Sequence, residues 1–270
     1  MRILAVNVNT TKSMTTGIVE EARRAAGPGT EVVGLTPSFG APSVESSFES
    51  YLAAVAVMDR VVTYEEPYDA VIQAGFGEHG REGLQELLDV PVIDITEAAA
   101  HTAMMLGRAF SIVTTLDRAV PQIEDRLRVA GLLELCASVR AADVEVLALE
   151  SDPSTAVDAI EAQASLAIAH DRAEVIVLGC GGMAGLSEAI RQRTGAPVVD
   201  GVAAAVKLAE SLVQLGLTTS KLRTYARPRP KAITGWPLSR TRGTSRSAGP
   251  ISDVFAACAT GGGRVALPPP

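Results

Sequence analysis

Cysteine is scarce in this chain. Cys136, Cys180 and Cys258 are the only three among 270 residues, too few and too far apart for a disulfide framework or a thiolate zinc site. Aromatic residues make up only 4%, so a core must be built from aliphatic side chains. No apolar run approaches the ~18 residues of a membrane span. Basic residues are outnumbered, 24 Lys and Arg against 31 Asp and Glu, and the net charge of −7 argues against nucleic acid or an anionic membrane as partner. Met1-Arg2-Ile3-Leu4-Ala5-Val6-Asn7 lacks the long apolar region of a signal peptide and reads as a first strand. The three histidines form no ligand set with Cys, Asp or Glu, so no metal is expected. The glycines at 179, 181 and 182 do not make a dinucleotide fingerprint, and no cofactor is expected either. Together these absences predict a cytoplasmic protein with reduced thiols.

What is present is an Ala- and Val-rich chain, 47% apolar, long enough for one large domain or two smaller ones. Its centre is Val175-Ile176-Val177-Leu178-Gly179-Cys180-Gly181-Gly182-Met183. This reads as a buried parallel strand that delivers Cys180 to its C-terminal end, where α/β sheets hold their ligands. Gly181 and Gly182 let the backbone turn and offer free N–H groups at the start of a following helix. The unit occurs twice. Ala70 to Gly77 leads through a helical pattern to Pro91-Val92-Ile93-Asp94, as the Cys180 strand leads to Pro197-Val198-Val199-Asp200. Gly75 precedes its proline by 16 residues and Cys180 its own by 17, and each Asp is followed by an alanine-rich helix. The repeat predicts an α/β fold of two similar Rossmann-like domains with parallel sheets, facing each other across a cleft. Position 75 would face position 180.

In chain order, Ile3–Val8 is a strand, Asn9 to Ser13 a capping turn, and Met14–Ala25 a helix. Phe48, Tyr51, Leu52, Val55 and Met58 keep helical spacing. Asp94 and Asp200 are expected to cap the helices that follow them. Residues 1–98 plus 203–226 are assigned to one domain and 99–202 to the other. From Arg227 the composition turns to Gly, Ser, Arg and Pro, and residues 235–270 are expected to be a disordered tail. Cys136 is expected in the core, His101 packed in its helix, and His170 at a helix end with no role.

A cysteine at a strand end beside helix amides has the setting in which a thiol pKa is lowered, suiting Cys180 to be a nucleophile or a base. The alternative is a small buried residue. Asn7 and Asn9 either hydrogen-bond a ligand or cap the first helix. Ser43 and Glu45 either reach the cleft or form a turn.

Five stretches carry a resemblance: Asn7-Val8-Asn9-Thr10-Thr11, Gly40 to Glu45, Phe76-Gly77-Glu78-His79-Gly80, Phe110 to Leu116, and Val177 to Met183. In order and coverage, from Met1 to about Thr234, the chain resembles the hydantoin and allantoin racemases of the aspartate/glutamate racemase superfamily. The resemblance implies a cofactor-free two-base racemase, oligomeric, acting on 5-substituted hydantoins or allantoin. One cysteine thiolate takes the ring C–H proton and a second thiol returns one on the opposite face. The enolate oxygen needs backbone donors, with Phe76, Gly77, Gly181 and Gly182 near the substrate and Thr114 or Thr115 holding a carbonyl.

The family's cysteines fall at positions 75 and 180, and this chain has Gly75. Glu78-His79 stands where the family has Asp-Pro. Three explanations stay open. Gly75 is an engineered replacement that halts turnover; His79 takes over from the lost thiol; or one cysteine serves other chemistry, as in the arylmalonate decarboxylases, whose Gly-Thr-Ser stretch is absent here. A fourth possibility is a pocket that only binds. Restoring a thiol at 75 is expected to raise racemisation.

Overall fold

The structure is a computed structural model and describes residues 1–229. The tail assigned to 235–270, with Trp236, Phe255 and Cys258, lies outside the described residues.

Two four-stranded, fully parallel sheets form the frame. The first contains β1 (Arg2–Val6), β2 (Glu31–Leu35), β3 (Ala70–Gln73) and β4 (Val92–Asp94) in the order β2-β1-β3-β4. The second contains β5 (Phe110–Thr114), β6 (Cys136–Ala141), β7 (Val175–Leu178) and β8 (Val198–Asp200) in the order β6-β5-β7-β8. The repeat read from the sequence is therefore a repeat of topology. In each sheet the order reverses between the first and third strands, which opens a crevice at their carboxyl ends. Registers Val6↔Gln73 and Val113↔Leu178 align the ends that form these crevices.

Helices α1 (Lys12–Ala25), α2 (Ser47–Val62), α3 (Arg81–Leu87) and α4 (Ile95–Met104) follow the strands of the first half. In the second half come α5 (Val120–Val129), the short α6 (Ala148–Ser151), α7 (Pro153–His170), α8 (Ser187–Thr194) and α9 (Gly201–Gln214). Helix α4 packs on β5, β7 and β8 of the second sheet, whereas α9 packs on α1, β3 and β4 of the first. The two helices also pack on each other. Their alanines make this close approach feasible: Ala98, Ala99, Ala100 and Ala103 meet Ala204, Ala205 and Ala209 in one core that also holds Ile3, Ile72, Ile112 and Val177. Strand residues alternate between this shared core and separate outer cores, as period-2 geometry requires. Leu4, Val6 and Val71 pack outward under α2, and Ile176 and Leu178 pack outward with the α7 residues Ile160 and Ala164.

The helical spacing of Phe48, Tyr51, Leu52, Val55 and Met58 falls on α2, but the spacing does not mark the buried face. In α2 the aromatics of the helical pattern face solvent, with Phe48 and Tyr51 each 76% exposed. The buried face is Ser50, Ala53, Ala56, Val57, Asp59 and Val61. The helix lies close on the sheet, and small residues fit there where large rings do not. No described helix is long and apolar enough to cross a membrane.

Asp94 and Asp200 occupy matching positions. Asp94 Oδ1 accepts from the amides of Thr96 and Glu97 at 2.8 and 2.9 Å, and Asp200 Oδ1 from those of Val202 and Ala203 at 2.8 and 3.2 Å. Both are N-caps. Asp94 does more: its Oδ2 accepts from Arg81 and from Arg126 of α5, each at 3.0 Å, which ties β4 to the second half. With the carboxylate fully buried, Asp94→Ala leaves two guanidinium groups short of a partner and uncaps α4. The expected loss is about 3–5 kcal/mol of unfolding free energy, measured by urea denaturation. Asp94→Asn, which keeps the cap, should lose less.

Candidate active site

The two crevices face each other and enclose one cleft. Asn7, Val8 and Asn9 reach it from the end of β1, Ala74, Gly75 and Phe76 from β3, Thr114 and Thr115 from β5, and Gly179 to Gly182 from β7. His79, Met14, Ile18, Val44, Ala119 and Val146 complete the lining. Gly75 and Cys180 thus line the same cleft from opposite halves. A Cβ on Gly181 would lie 2.4 Å from the Ala74 carbonyl oxygen, so the backbones beyond β3 and β7 nearly touch.

Cys180 is half-buried, and its Sγ accepts from the amide of Gly182 at 3.4 Å. Its titration runs against the sequence expectation. Burial pushes the thiol up to about 11, and the amides of Gly182 and Met183 only partly offset it. The physical reason is local structure. Gly181–Met183 is a single 3₁₀ turn and α8 does not begin until Ser187, so no helix dipole points at the sulfur. Cys136, the other described cysteine, is packed on the shared core away from the cleft, and burial raises it to about 12.

The other residues divide. Asn7 is committed to the fold: its Nδ2 donates to Asn9 Oδ1, Thr11 O and Thr15 Oγ1 at 2.9–3.1 Å, and its Oδ1 accepts from the Asn9 amide. Asn9 Oδ1 also accepts from the Thr11 amide, but its Nδ2 has only the Met14 sulfur, at 3.3 Å, and is the donor left for a ligand. Thr114 Oγ1 donates to the Gly179 carbonyl at 3.0 Å, which locks β5 to β7. Thr115 lines the cleft, and its hydroxyl bonds to no described residue. Glu45 bridges the halves by accepting from the Val146 amide at 3.2 Å. Ser43 does not line the cleft. The Gly77 amide donates to Thr96 Oγ1 at 2.8 Å and anchors the loop after β3 instead of facing a ligand.

That loop, 74–80, turns through Gly77 and Gly80 at positive φ. It folds His79 back beneath Gly75. His79 is 4% exposed, and its Nε2 lies 3.3 Å from the Phe76 carbonyl, while Nδ1 has no partner. Burial lowers its pKa to about 4, so the imidazole is neutral at physiological pH. A Cβ on Gly75 would lie 2.4 Å from Val8 Cγ1, 2.5 Å from His79 Cδ2 and 2.8 Å from Gln73 Nε2. The room a side chain would take at 75 is thus already filled, partly by the imidazole.

Sequence reasoning passed over Glu78. Its Oε1 accepts from the Gly80 and Arg81 amides at 2.6 and 3.1 Å, and its Oε2 lies 3.2 Å from Arg126 Nη1. Burial, then its hydrogen bond and repulsion with Glu82, push it up to about 7. The signal available was an acid three residues beyond the position of the missing cysteine, followed three residues on by Arg81 and then Glu82. Among the described residues no group of three or more His, Cys, Asp or Glu could hold a metal.

The packing around Gly75 yields a test of the expectation that a thiol there restores function. Gly75→Cys collides with Val8 and His79, and is expected to lose about 1–3 kcal/mol by overpacking instead of gaining a clean proton carrier. Thermal melts of Gly75→Cys, His79→Ala and the double variant should show positive coupling, the second change relieving part of the first. Additive losses would mean that the imidazole does not compete for the position.

The model of the family described as Asp/Glu/Hydantoin racemase matches residues 3–209. The crystal structure of an allantoin racemase from Pseudomonas fluorescens is 72% identical, with a TM-score of 0.86, covering 87% of this chain and 100% of that one. An allantoin racemase from Klebsiella pneumoniae is 42% identical, with a TM-score of 0.84, covering 87% and 96%. A hydantoin racemase from Rhizobium meliloti is 40% identical over 236 residues, 87% of this chain and 98% of that protein. With two parallel sheets closing on one cleft and similarity along nearly all of that frame, the chain belongs to the Asp/Glu/Hydantoin racemase family and is an isomerase of the racemase type.

Proposed function

We propose that the protein racemises allantoin by moving a proton on and off C5 of the hydantoin ring, with Cys180 serving one face and Glu78 the other. The observation that carries this reading is that Cys180 lines one wall of the cleft while Gly75, Phe76 and His79 line the other, on the loop that also bears Glu78. The choice of allantoin over an apolar 5-substituted hydantoin is supported by the 72% identity to an allantoin racemase.

The chemistry follows from the ring. The C5–H bond is acidified by the adjacent C4 carbonyl, and its loss puts negative charge on that oxygen. Donors must meet it there. The Gly181 N–H, which donates to no described residue, Asn9 Nδ2 and the Thr115 hydroxyl are the groups free to do so. In one direction the Glu78 carboxylate takes the proton and the Cys180 thiol donates one to the opposite face. In the other the Cys180 thiolate takes it and the Glu78 carboxylic acid donates. Gly75 changes which group carries the second proton and does not by itself stop turnover.

Glu78 is preferred over His79 because a proton carrier works best with a pKa near the working pH. Glu78 is near 7 and His79 near 4. His79 is also packed under Gly75, where its role is to shape the loop. The reading requires the Glu78 carboxyl to leave the amides of Gly80 and Arg81 and turn to the substrate during the reaction.

Incubation of each allantoin enantiomer in D₂O, followed by optical rotation and by loss of the C5 proton signal with the spontaneous rate subtracted, tests this. Cys180→Ala and Glu78→Gln should each lower the enzyme-dependent rate by about 10²–10⁴-fold. His79→Asn should lower it far less. Full activity in Glu78→Gln, or faster turnover of 5-benzylhydantoin than of allantoin, would sink the assignment of the carrier or of the substrate respectively.

A further inference from the structure

We infer that Glu82, held by Arg126 from the opposite half, is a positioning residue that keeps the Glu78 carboxyl a proton donor at neutral pH. The inference rests on the reading of Glu78 as the second proton carrier. Glu82 touches neither the cleft nor the ring; it acts through Glu78.

The geometry is a shared fork. Arg126 projects from α5 with its side chain almost wholly buried, and its Nη1 lies 2.5 Å from Glu82 Oε1 and 3.2 Å from Glu78 Oε2. Its Nη2 lies 3.0 Å from Asp94 Oδ2 and 2.7 Å from Glu97 Oε1. Arg81, on α3, engages Asp94 and Glu97 at 3.0 and 2.6 Å and Glu82 at 3.7 Å. The groups facing Glu78 are thus Glu82 and Arg81 from α3, Asp94 from β4, Glu97 from α4, Arg126 from α5, and the neutral His79 on its own loop. Four carboxyls meet two guanidiniums. With every carboxyl ionised the cluster carries a surplus of two negative charges, and one proton relieves part of it. Asp94, Glu97 and Glu82 each reach both arginines, whereas Glu78 has only Arg126, by the longest contact of the four. The proton therefore settles between Glu78 and Glu82, and the close contact with Arg126 keeps Glu82 ionised, down at about 2.

The consequence concerns the proton shared between the two carriers. One competent form has the Cys180 thiol and the Glu78 carboxylate, and the other has the thiolate and the carboxylic acid. With the Cys180 thiol and the Glu78 carboxyl both raised, the second form is disfavoured because the thiol still holds a proton more tightly than the carboxyl. A glutamate at its ordinary value would disfavour it further. Burial of Glu78 contributes most of this narrowing, and Glu82 adds the rest.

The test is the pH profile of kcat/KM on allantoin for the parent chain, Glu82→Gln, Glu82→Asp and Glu78→Gln. In the parent the rate falls as the pH drops through the Glu78 titration. Glu82→Gln removes the neighbouring negative charge, so this acid limb should move to lower pH by about one unit, while Glu82→Asp keeps it near the parent position. An acid limb that is absent in Glu78→Gln yet unmoved in Glu82→Gln overturns the role of Glu82 and leaves Glu78 standing. A limb that persists in Glu78→Gln overturns both. A second measurement needs only the parent protein. In a ¹³C-carboxyl NMR titration, the Glu78 resonance, assigned by its loss in Glu78→Gln, should shift in two steps shared with Glu82. A single independent step at an ordinary carboxyl pKa overturns the inference.

Discussion

The near contact between the Ala74 carbonyl and Gly181 is the constraint from which the site follows. A Cβ at 181 would start 2.4 Å from that oxygen, so only glycine lets the backbones leaving β3 and β7 come this close. Their approach sets the width of the cleft. It also orients the two switch-point crevices toward each other, so that Asn9 and Gly75 from one sheet share a space with Thr115 and Cys180 from the other. The alanine faces of α4 and α9 keep the halves at this distance from behind, since larger side chains there would wedge the sheets apart. The Arg126 fork does the same from the side by joining α5 to Asp94, Glu97 and the loop after β3.

Much of this frame was legible in the sequence. The two Pro-Val-(Ile/Val)-Asp segments gave the internal repeat, and the repeat gave both sheets and the matched caps Asp94 and Asp200. Apolar runs and turn residues carry that information because they are local. What was not legible depends on tertiary packing. The burial of α2 through Ser50, Ala53 and Ala56 reflects how near the helix lies to the sheet, which no helical periodicity reports. The glycine at 75 was visible, but not the fact that His79 had taken up the space beside it.

The titration of Cys180 shows the same limit in chemical terms. Glycines after a cysteine are compatible with a helix N-terminus and a lowered pKa. They are equally compatible with one 3₁₀ turn in an apolar crevice, where desolvation wins and the thiol rises. The sequence gives the residues for both outcomes and does not say which field prevails. Glu78 was overlooked for the complementary reason. Its perturbation comes from burial and from Glu82, and its contact with Arg126 depends on α5, 48 positions further along the chain, being folded against it.

If Glu78 turns to the substrate as proposed, a backbone with a repeated topology carries unlike proton carriers, a thiol after β7 and a carboxyl from the loop after β3. On the reading developed above, each enantiomer then meets a different base. This does not favour either direction overall. Two enantiomers have equal free energy in solution, so their equilibrium constant is one, and kcat/KM must be the same for both whatever the pKa values of the carriers. The asymmetry is free to enter only kcat and KM separately, through the stability of the two bound protonation forms. A symmetric pair of thiols satisfies this balance by construction. A thiol and a carboxyl satisfy it too, but turn over well in both directions only if their affinities for the shared proton are not far apart. Pressing a glutamate against a second carboxylate is a physical way to narrow that gap.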